Sequence, residues 1–255
     1  MINVNLKNVF RVIYRNALTY SKLILFSTMF NFVEPLIYIT GMGFGLGIYV
    51  KEIDGMNYAQ FIAPAFIAST AMFAVTFECT YGAFTRMDYQ KTYDAIISTP
   101  VNLEDVILAE IIWGAFKGVL YGSLILLLIT FFGFVHSPAA LLIIPVLFIA
   151  GLAFGVFAMI LTAIVPSFEF FNYYMTLIIT PMFMFSGIFF PLNSLHAPLQ
   201  TLANALPLVH LVNPCRELAL GHIHGSIIYD LLYFVVMTAI LVALPLYLIK
   251  KRLVR

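Results

Sequence analysis

Four ionisable side chains interrupt apolar runs of the length that crosses a bilayer: Glu34, Glu78, Glu110 and Lys117. A charge at mid-bilayer costs about 2.5–3.5 kcal/mol on the insertion scale, so each needs a counter-ion or a water-lined cavity. Glu110, Gly114, Lys117 and Tyr121 follow i, i+4, i+7, i+11 spacing and form one polar stripe on a helix. Two kinds of chemistry suit that stripe. One is an ion pair between Lys117 and a neighbouring Glu that orients helices, and the other is a polar lining for a substrate headgroup. A second set, His196, His210, His222 and His224, has Glu217 and Asp230 within reach in sequence, and the HxH spacing of the last pair could hold a metal. With no carboxylate or thiolate set arranged around them, surface or hydrogen-bonded histidines are the better reading and no metal is expected. The chain has no GxxxxGK[ST] phosphate loop, HExxH, GxSxG or CxxC, so it encodes neither ATP hydrolysis nor a familiar hydrolase.

The elements that must position these residues are membrane helices. Hydrophobic residues make up 62% of the 255 and charged residues only 10%, which predicts an all-α, polytopic membrane protein forming one transmembrane domain over residues 1–255. Spans are expected at 23–49, 58–82, 106–134, 139–165, 173–190 and 227–249. Residues 5–22 mix Leu6, Val9, Phe10, Ile13 and Ala17 with Lys7, Arg11, Arg15 and Lys22, the pattern of an amphipathic helix lying in the headgroup plane. Gly114, Gly118 and Gly122, and then Gly151 and Gly155, recur every four residues as small-residue packing faces. Residues 191–213 carry prolines at 191, 198 and 207 between apolar pieces too short to span, and read as a hairpin re-entering from outside.

Six spans put both termini on one side. If that side is cytoplasmic, it holds Lys7, Arg11, Arg15, Lys22, Arg86, Lys91, Lys250, Lys251, Arg252 and Arg255 against Lys51 and Arg216 outside. The positive-inside rule then fixes the orientation. A net charge of +1 gives no reason to expect nucleic acid, and Cys79 and Cys215 fall near opposite faces, so no disulfide is expected.

The longest polar interval, 85–105, therefore faces the cytoplasm. On a helical wheel Tyr89, Tyr93, Ile96 and Ile97 share one arc while Asp88, Lys91 and Asp94 share the opposite one, which predicts a short amphipathic helix over 86–98. Thr99-Pro100 stops it, and Asn102 with Asp105 has the spacing of an N-cap for the next helix. Such a helix is either a solvated connector or a docking element for a cytoplasmic partner.

EPLIYITGMGFGLG at 34–47, FIAPAFIASTAMFAVTFECTYGAFTRM at 61–87, QKTYDAIISTPVNLEDVILAEIIWGA at 90–115 and PMFMFSGIFFPLNSLHAPLQTLANALPLVHLVNPCRELALG at 181–221 resemble the NodJ-like branch of the type-2 ABC transporter permeases. The resemblance covers nearly the whole chain. It implies a bacterial inner-membrane permease that pairs with a second copy of itself and with two ATP-binding subunits, which bind ATP and Mg, to export lipo-oligosaccharide or a related amphiphile. It also implies a coupling role for 86–98, with Arg86, Asp88, Tyr89, Lys91, Tyr93, Asp94 and Ile97 as contact residues, and a transport path near Glu34, Glu78, Glu110, Lys117 and Tyr121. The rival readings are a membrane-embedded enzyme using the outer histidines with Glu217 or Asp230, and a membrane scaffold.

Overall fold

A computed structural model describes residues 4–50, 52–53, 55–221 and 225–253. Lys51, His222, His224 and Arg255, which enter the charge and histidine arguments above, lie outside these residues. The described chain is all-α, with one isolated bridge between Ile53 and Met56.

Helix α1 (Leu6–Ser21) starts at Asn5, whose side chain accepts from the Lys7 amide. Its Asn8, Val9, Val12 and Asn16 are buried, while Leu6, Phe10, Tyr14 and Leu18 form an exposed i, i+4 ridge. An apolar ridge flanked by Lys7, Arg11 and Arg15 suits a helix lying along the headgroups. Helix α2 (Ile24–Thr40) follows, and its end loosens into a wide π turn at Gly41–Gly45 and a 3-10 turn at Leu46–Ile48. Of the four glycines there, Gly43 is the one pressed against a neighbouring helix, with Ala59 3.0 Å from where its Cβ would lie. The others add backbone entropy and favour the loosened end.

Helix α3 (Tyr58–Phe77) opens on a capping box in which Asn57 and Gln60 satisfy each other's backbone amides. It continues through π turns at Glu78–Gly82 and Thr85–Tyr89, so the helical rod runs from Tyr58 to Tyr89. Lys91 then adopts a left-handed conformation (φ 50°) and α4 (Thr92–Ile97) begins. A single helix over 86–98 is therefore not what forms. Arg86, Asp88 and Tyr89 belong to the end of the α3 rod, and Tyr93, Asp94 and Ile97 to α4. The helical wheel assumed one uninterrupted period, which a left-handed residue resets.

Helix α5 (Leu103–Phe131) starts at the Asn102–Asp105 capping box and is the central rod, packed between α3 and α6 (Ile143–Ile164). Its glycines are the contact points. A Cβ on Gly118 would sit 2.6 Å from Val75 Cγ2, and one on Gly151 of α6 would sit 2.9 Å from the Ala115 backbone. Close backbone approach of this kind is what small residues permit in membrane bundles.

The remaining helices are α7 (Glu169–Tyr174), a π turn at Met175–Ile179, α8 (Thr180–Phe185), α9 (Ala197–Asn204), α10 (Val209–Leu220), α11 (Ser226–Leu241) and α12 (Ala243–Leu253). Helix α10 packs on α3 and α6, and α11 and α12 pack on α6. Among the described residues, four helical rods are long and apolar enough to cross a membrane: Tyr58–Tyr89, Leu103–Phe131, Pro138–Ile164 and Ser226–Leu253. The span expected at 23–49 is a 17-residue α-helix that ends in π and 3-10 turns, and in the one expected at 173–190 α7 and α8 are joined by a π turn and the helix stops at Phe185.

Candidate functional site

The Glu78 carboxylate accepts from Lys117 Nζ at 2.6 Å through one oxygen and from Arg86 Nη2 at 2.7 Å through the other. Arg86 forks onto Glu110, with Nε 3.0 Å from Oε1 and Nη2 2.5 Å from Oε2. A planar guanidinium can bridge two carboxylates in this way, whereas a lysine delivers one compact charge. Lys117 also lies 4.8 Å from the Tyr20 ring centroid, and Tyr20 shares a 2.7 Å hydroxyl contact with Tyr121. The cluster thus ties α1, the α3 rod and α5 together.

The π turns matter here. Arg86 lies eight residues after Glu78, roughly two turns, and the widened backbone carries both side chains to the face that meets α5. The widening is accommodated by α6, whose Thr162 hydroxyl donates to the Cys79 carbonyl at 2.7 Å. Gly82 leaves room for the pair, since a Cβ there would meet the Glu78 carboxyl at 3.2 Å.

Of the expected polar residues, the structure brings Glu78, Glu110, Lys117 and Tyr121 together and leaves Glu34 elsewhere. Glu34 sits exposed on α2 with no ion pair among the described residues. It lines two cavities, of about 290 and 600 Å³, walled mainly by aromatic rings that include Tyr38, Phe73 and Phe183. These rings form a connected set, Phe183 lying 5.5 Å from Phe73 and 5.2 Å from Phe189 between ring centroids.

The residues expected to dock a partner divide into two groups. Tyr89, Lys91 and Asp94 are exposed and Ile97 is half-buried. Arg86, Tyr93 and Asp88 face inward. Tyr93 is fully buried, which pushes its phenol well above the usual range, with Glu110 adding to the rise. Asp88 accepts from Arg252 at 2.7 Å, and Arg252 also caps α6 by donating to the carbonyls of Thr162, Ala163 and Val165. Tyr89, though exposed, stacks on Phe168 at 4.9 Å.

Sequence reasoning missed Arg86 as the bridge, and it missed Arg15, Asn16 and Tyr20 as members of the site. The eight-residue Glu78–Arg86 spacing was the available signal for the first. It also missed a buried clamp at Asp105, which accepts from the Asn5 amide at 2.7 Å and from the Asn8 side chain at 3.1 Å. At the opposite end of the fold, His210 pairs with Asp230 at 2.6 Å and stacks on Tyr233, while Glu217 accepts from Ser226. No group of three potential metal ligands occurs among the described residues.

Residues 2–220 match the family model described as ABC-2 type transporter. The chain is 39% identical to Nodulation protein J of Rhizobium meliloti (strain 1021), over 89% of this chain and 90% of that protein. It is 40% identical to Nodulation protein J of Rhizobium leguminosarum bv. viciae, over 89% of this chain and 91% of that protein. A more distant relative is the Inner membrane transport permease YadH of Escherichia coli (strain K12), 25% identical over 74% of this chain and 73% of that protein.

Proposed function

The chain belongs to the ABC-2 type transporter family, as a NodJ-like permease, and from that premise we propose that it is the membrane half of an exporter for lipo-oligosaccharide or a related amphiphile. Membership makes it a transport subunit and not an enzyme, and implies an ATP-binding partner. The finer reading is ours. Two copies of the permease pair in the bacterial inner membrane, two cytoplasmic subunits bind ATP and Mg, and the cargo moves along the Glu34 groove.

Glu34 is the observation that carries this reading. An exposed carboxylate midway along an apolar helix is tolerated only beside water or protein, and its neighbours are aromatic rings beside two adjoining cavities. A carboxylate among aromatic faces suits cargo with a polar head and an apolar tail. The exposed flanking residues Met29, Val33 and Ile37 suit closure of the groove by a second copy. Six crossings, with α9 and α10 re-entering from outside, complete the proposed arrangement.

Energy would enter through Tyr89, Lys91, Asp94 and Ile97, the outward-facing part of the 86–98 segment. Because the α3 rod ends there, a push on that segment is delivered to Arg86 and so to α5. The test is reconstitution with the ATP-binding subunit in proteoliposomes. Glu34→Gln combined with Phe183→Ala should lower transport about tenfold, the equivalent of 1.4 kcal/mol, with ATP hydrolysis retained. Wild-type transport by that variant would sink the groove assignment.

A further inference from the structure

The charged cluster is open on one side. A half-open cavity of about 380 Å³ lies between α1, the start of α2, the α3 rod and α5, and its walls include Arg15, Asn16, Glu78, Arg86, Trp113 and Lys117. Two side chains that line this cavity each carry a donor with no partner among the described residues, Nη1 of Arg15 and Nδ2 of Asn16, and both atoms are turned away from the open space. Asn16 is only 4% exposed, and its side-chain oxygen is already used, accepting from Arg15 Nη2 at 2.6 Å. A buried donor left unmade costs about 1–3 kcal/mol, more when charged, so a pair of them marks a place for an acceptor.

Charge points the same way. Arg15, Arg86 and Lys117 face Glu78 and Glu110, leaving one positive charge over. Arg15 is the least compensated, since its Nη2 lies 3.8 Å from Glu110 while Arg86 holds that carboxylate at 2.5 Å. Burial lowers the Arg15 pKa from its ordinary value, and the attraction of Glu110 is partly offset by repulsion from Arg86. The surroundings are those of a lipid headgroup region. Leu23, which lines the cavity, is 57% exposed, Ile24 and Leu25 beside it are exposed, and α1 carries its exposed ridge of Leu6, Phe10, Tyr14 and Leu18.

We infer that this cavity binds the phosphoryl group of an anionic membrane lipid, with the Arg15 and Asn16 side chains turning toward it to donate and the acyl chains lying beside the start of α2. The ligand neutralises the spare charge and pins α1 against the Arg86 bridge. The site is separate from the Glu34 groove and does not depend on the identity of the cargo. An oxyanion of the same chemistry could come from free phosphate, and the exposed start of α2 favours the lipid.

Trp113 is the single tryptophan of the chain and lines the cavity, so it reports binding directly. The full-length protein is placed in phosphatidylcholine nanodiscs containing small fractions of brominated phosphatidylglycerol or brominated phosphatidylcholine, and quenching is measured. Both lipids carry a phosphodiester, but the choline cation opposes the spare positive charge of the site, so half-quenching should need a several-fold lower fraction of the brominated phosphatidylglycerol. Asn16→Asp is isosteric and supplies the missing anion internally, so it should abolish the preference, as should Arg15→Gln. Arg11→Gln, on the exposed side of α1, should retain it. If inorganic phosphate alone shifts the Trp113 emission and cancels the preference, the site takes the same oxyanion from solution. Equal quenching by the two lipids with no response to phosphate overturns the inference, and so does a preference that survives Asn16→Asp. Should Arg15→Gln fail to fold, Asn16→Asp decides alone. If Asn16→Asp leaves quenching unchanged but releases the ATP-binding subunit, the occupant is a protein carboxylate and the lipid site falls.

Discussion

Lys117 shows what a residue's cost reveals and what it conceals. That a lysine within an apolar helix needs a carboxylate follows from its transfer cost alone. Which carboxylate does not follow, because the choice lies between helices whose rotation the sequence leaves open. Glu110 shares the stripe but stands seven residues away, about 10 Å along the axis at 1.5 Å per residue, too far for an ion pair. The partner is Glu78, 2.6 Å from the amine, with Arg86 on its other oxygen. Lys117→Met removes the charge and keeps most of the stem. Because Arg86 still holds Glu78, the cost should be about 1–3 kcal/mol, below the 3–5 of a fully orphaned buried charge. Adding Glu78→Gln should recover much of that loss, whereas adding Glu110→Gln should not, since Glu110 serves Arg86 and Arg15. Thermal unfolding of the two double mutants in detergent checks this, and equal recovery by both would contradict the assigned pairing.

At the scale of elements, packing was more legible than continuity. Glycines every four residues on α5 and α6 announced close helix approach, and they are the positions where an added methyl meets a neighbour. Gly151→Ala would place its Cβ 2.9 Å from the Ala115 Cα, a backbone atom that cannot rotate away. A loss of about 1–3 kcal/mol is expected. Gly45 has nothing within 4 Å, and Gly45→Ala should be neutral or slightly stabilising. Unfolding temperatures of the two variants make the comparison, and a similar loss at both positions would mean that backbone freedom and not contact sets the cost. The breaks were not legible. Periodicity assumes a constant 3.6-residue turn, so the π turns at Glu78–Gly82 and Thr85–Tyr89, and the left-handed Lys91, were invisible to it. Those breaks turn Arg86 inward. The family resemblance had implied a contact with the partner for it.

At the scale of the whole molecule, contacts join both ends of the chain to the N-terminal end of α5. The Asp105 carboxylate holds Asn5 and Asn8 of the α1 region, Glu104 accepts from Lys250 of α12 at 2.7 Å, and Arg252 reaches Asp88 at the foot of the α3 rod. The basic residues of α1, the 86–98 segment and α12 therefore gather at one end. Arg216 lies toward the other, donating to the Gly187 carbonyl at 2.7 Å. That distribution, with the charge bias read from the sequence, predicts under the positive-inside rule that the end bearing α4 is cytoplasmic. Single cysteines test it, in a background without Cys79 and Cys215, both of which are buried and free. Asn193→Cys and Ser226→Cys, at exposed positions beyond α8 and at the start of α11, should react with an impermeant thiol reagent added to intact cells. Ser98→Cys, exposed at the end of α4, should react only after the membrane is opened. Labelling of Ser98→Cys from outside would reverse the orientation. It would place Tyr89, Lys91 and Asp94 where no ATP-binding subunit could reach them, and put the phosphoryl site in the outer leaflet.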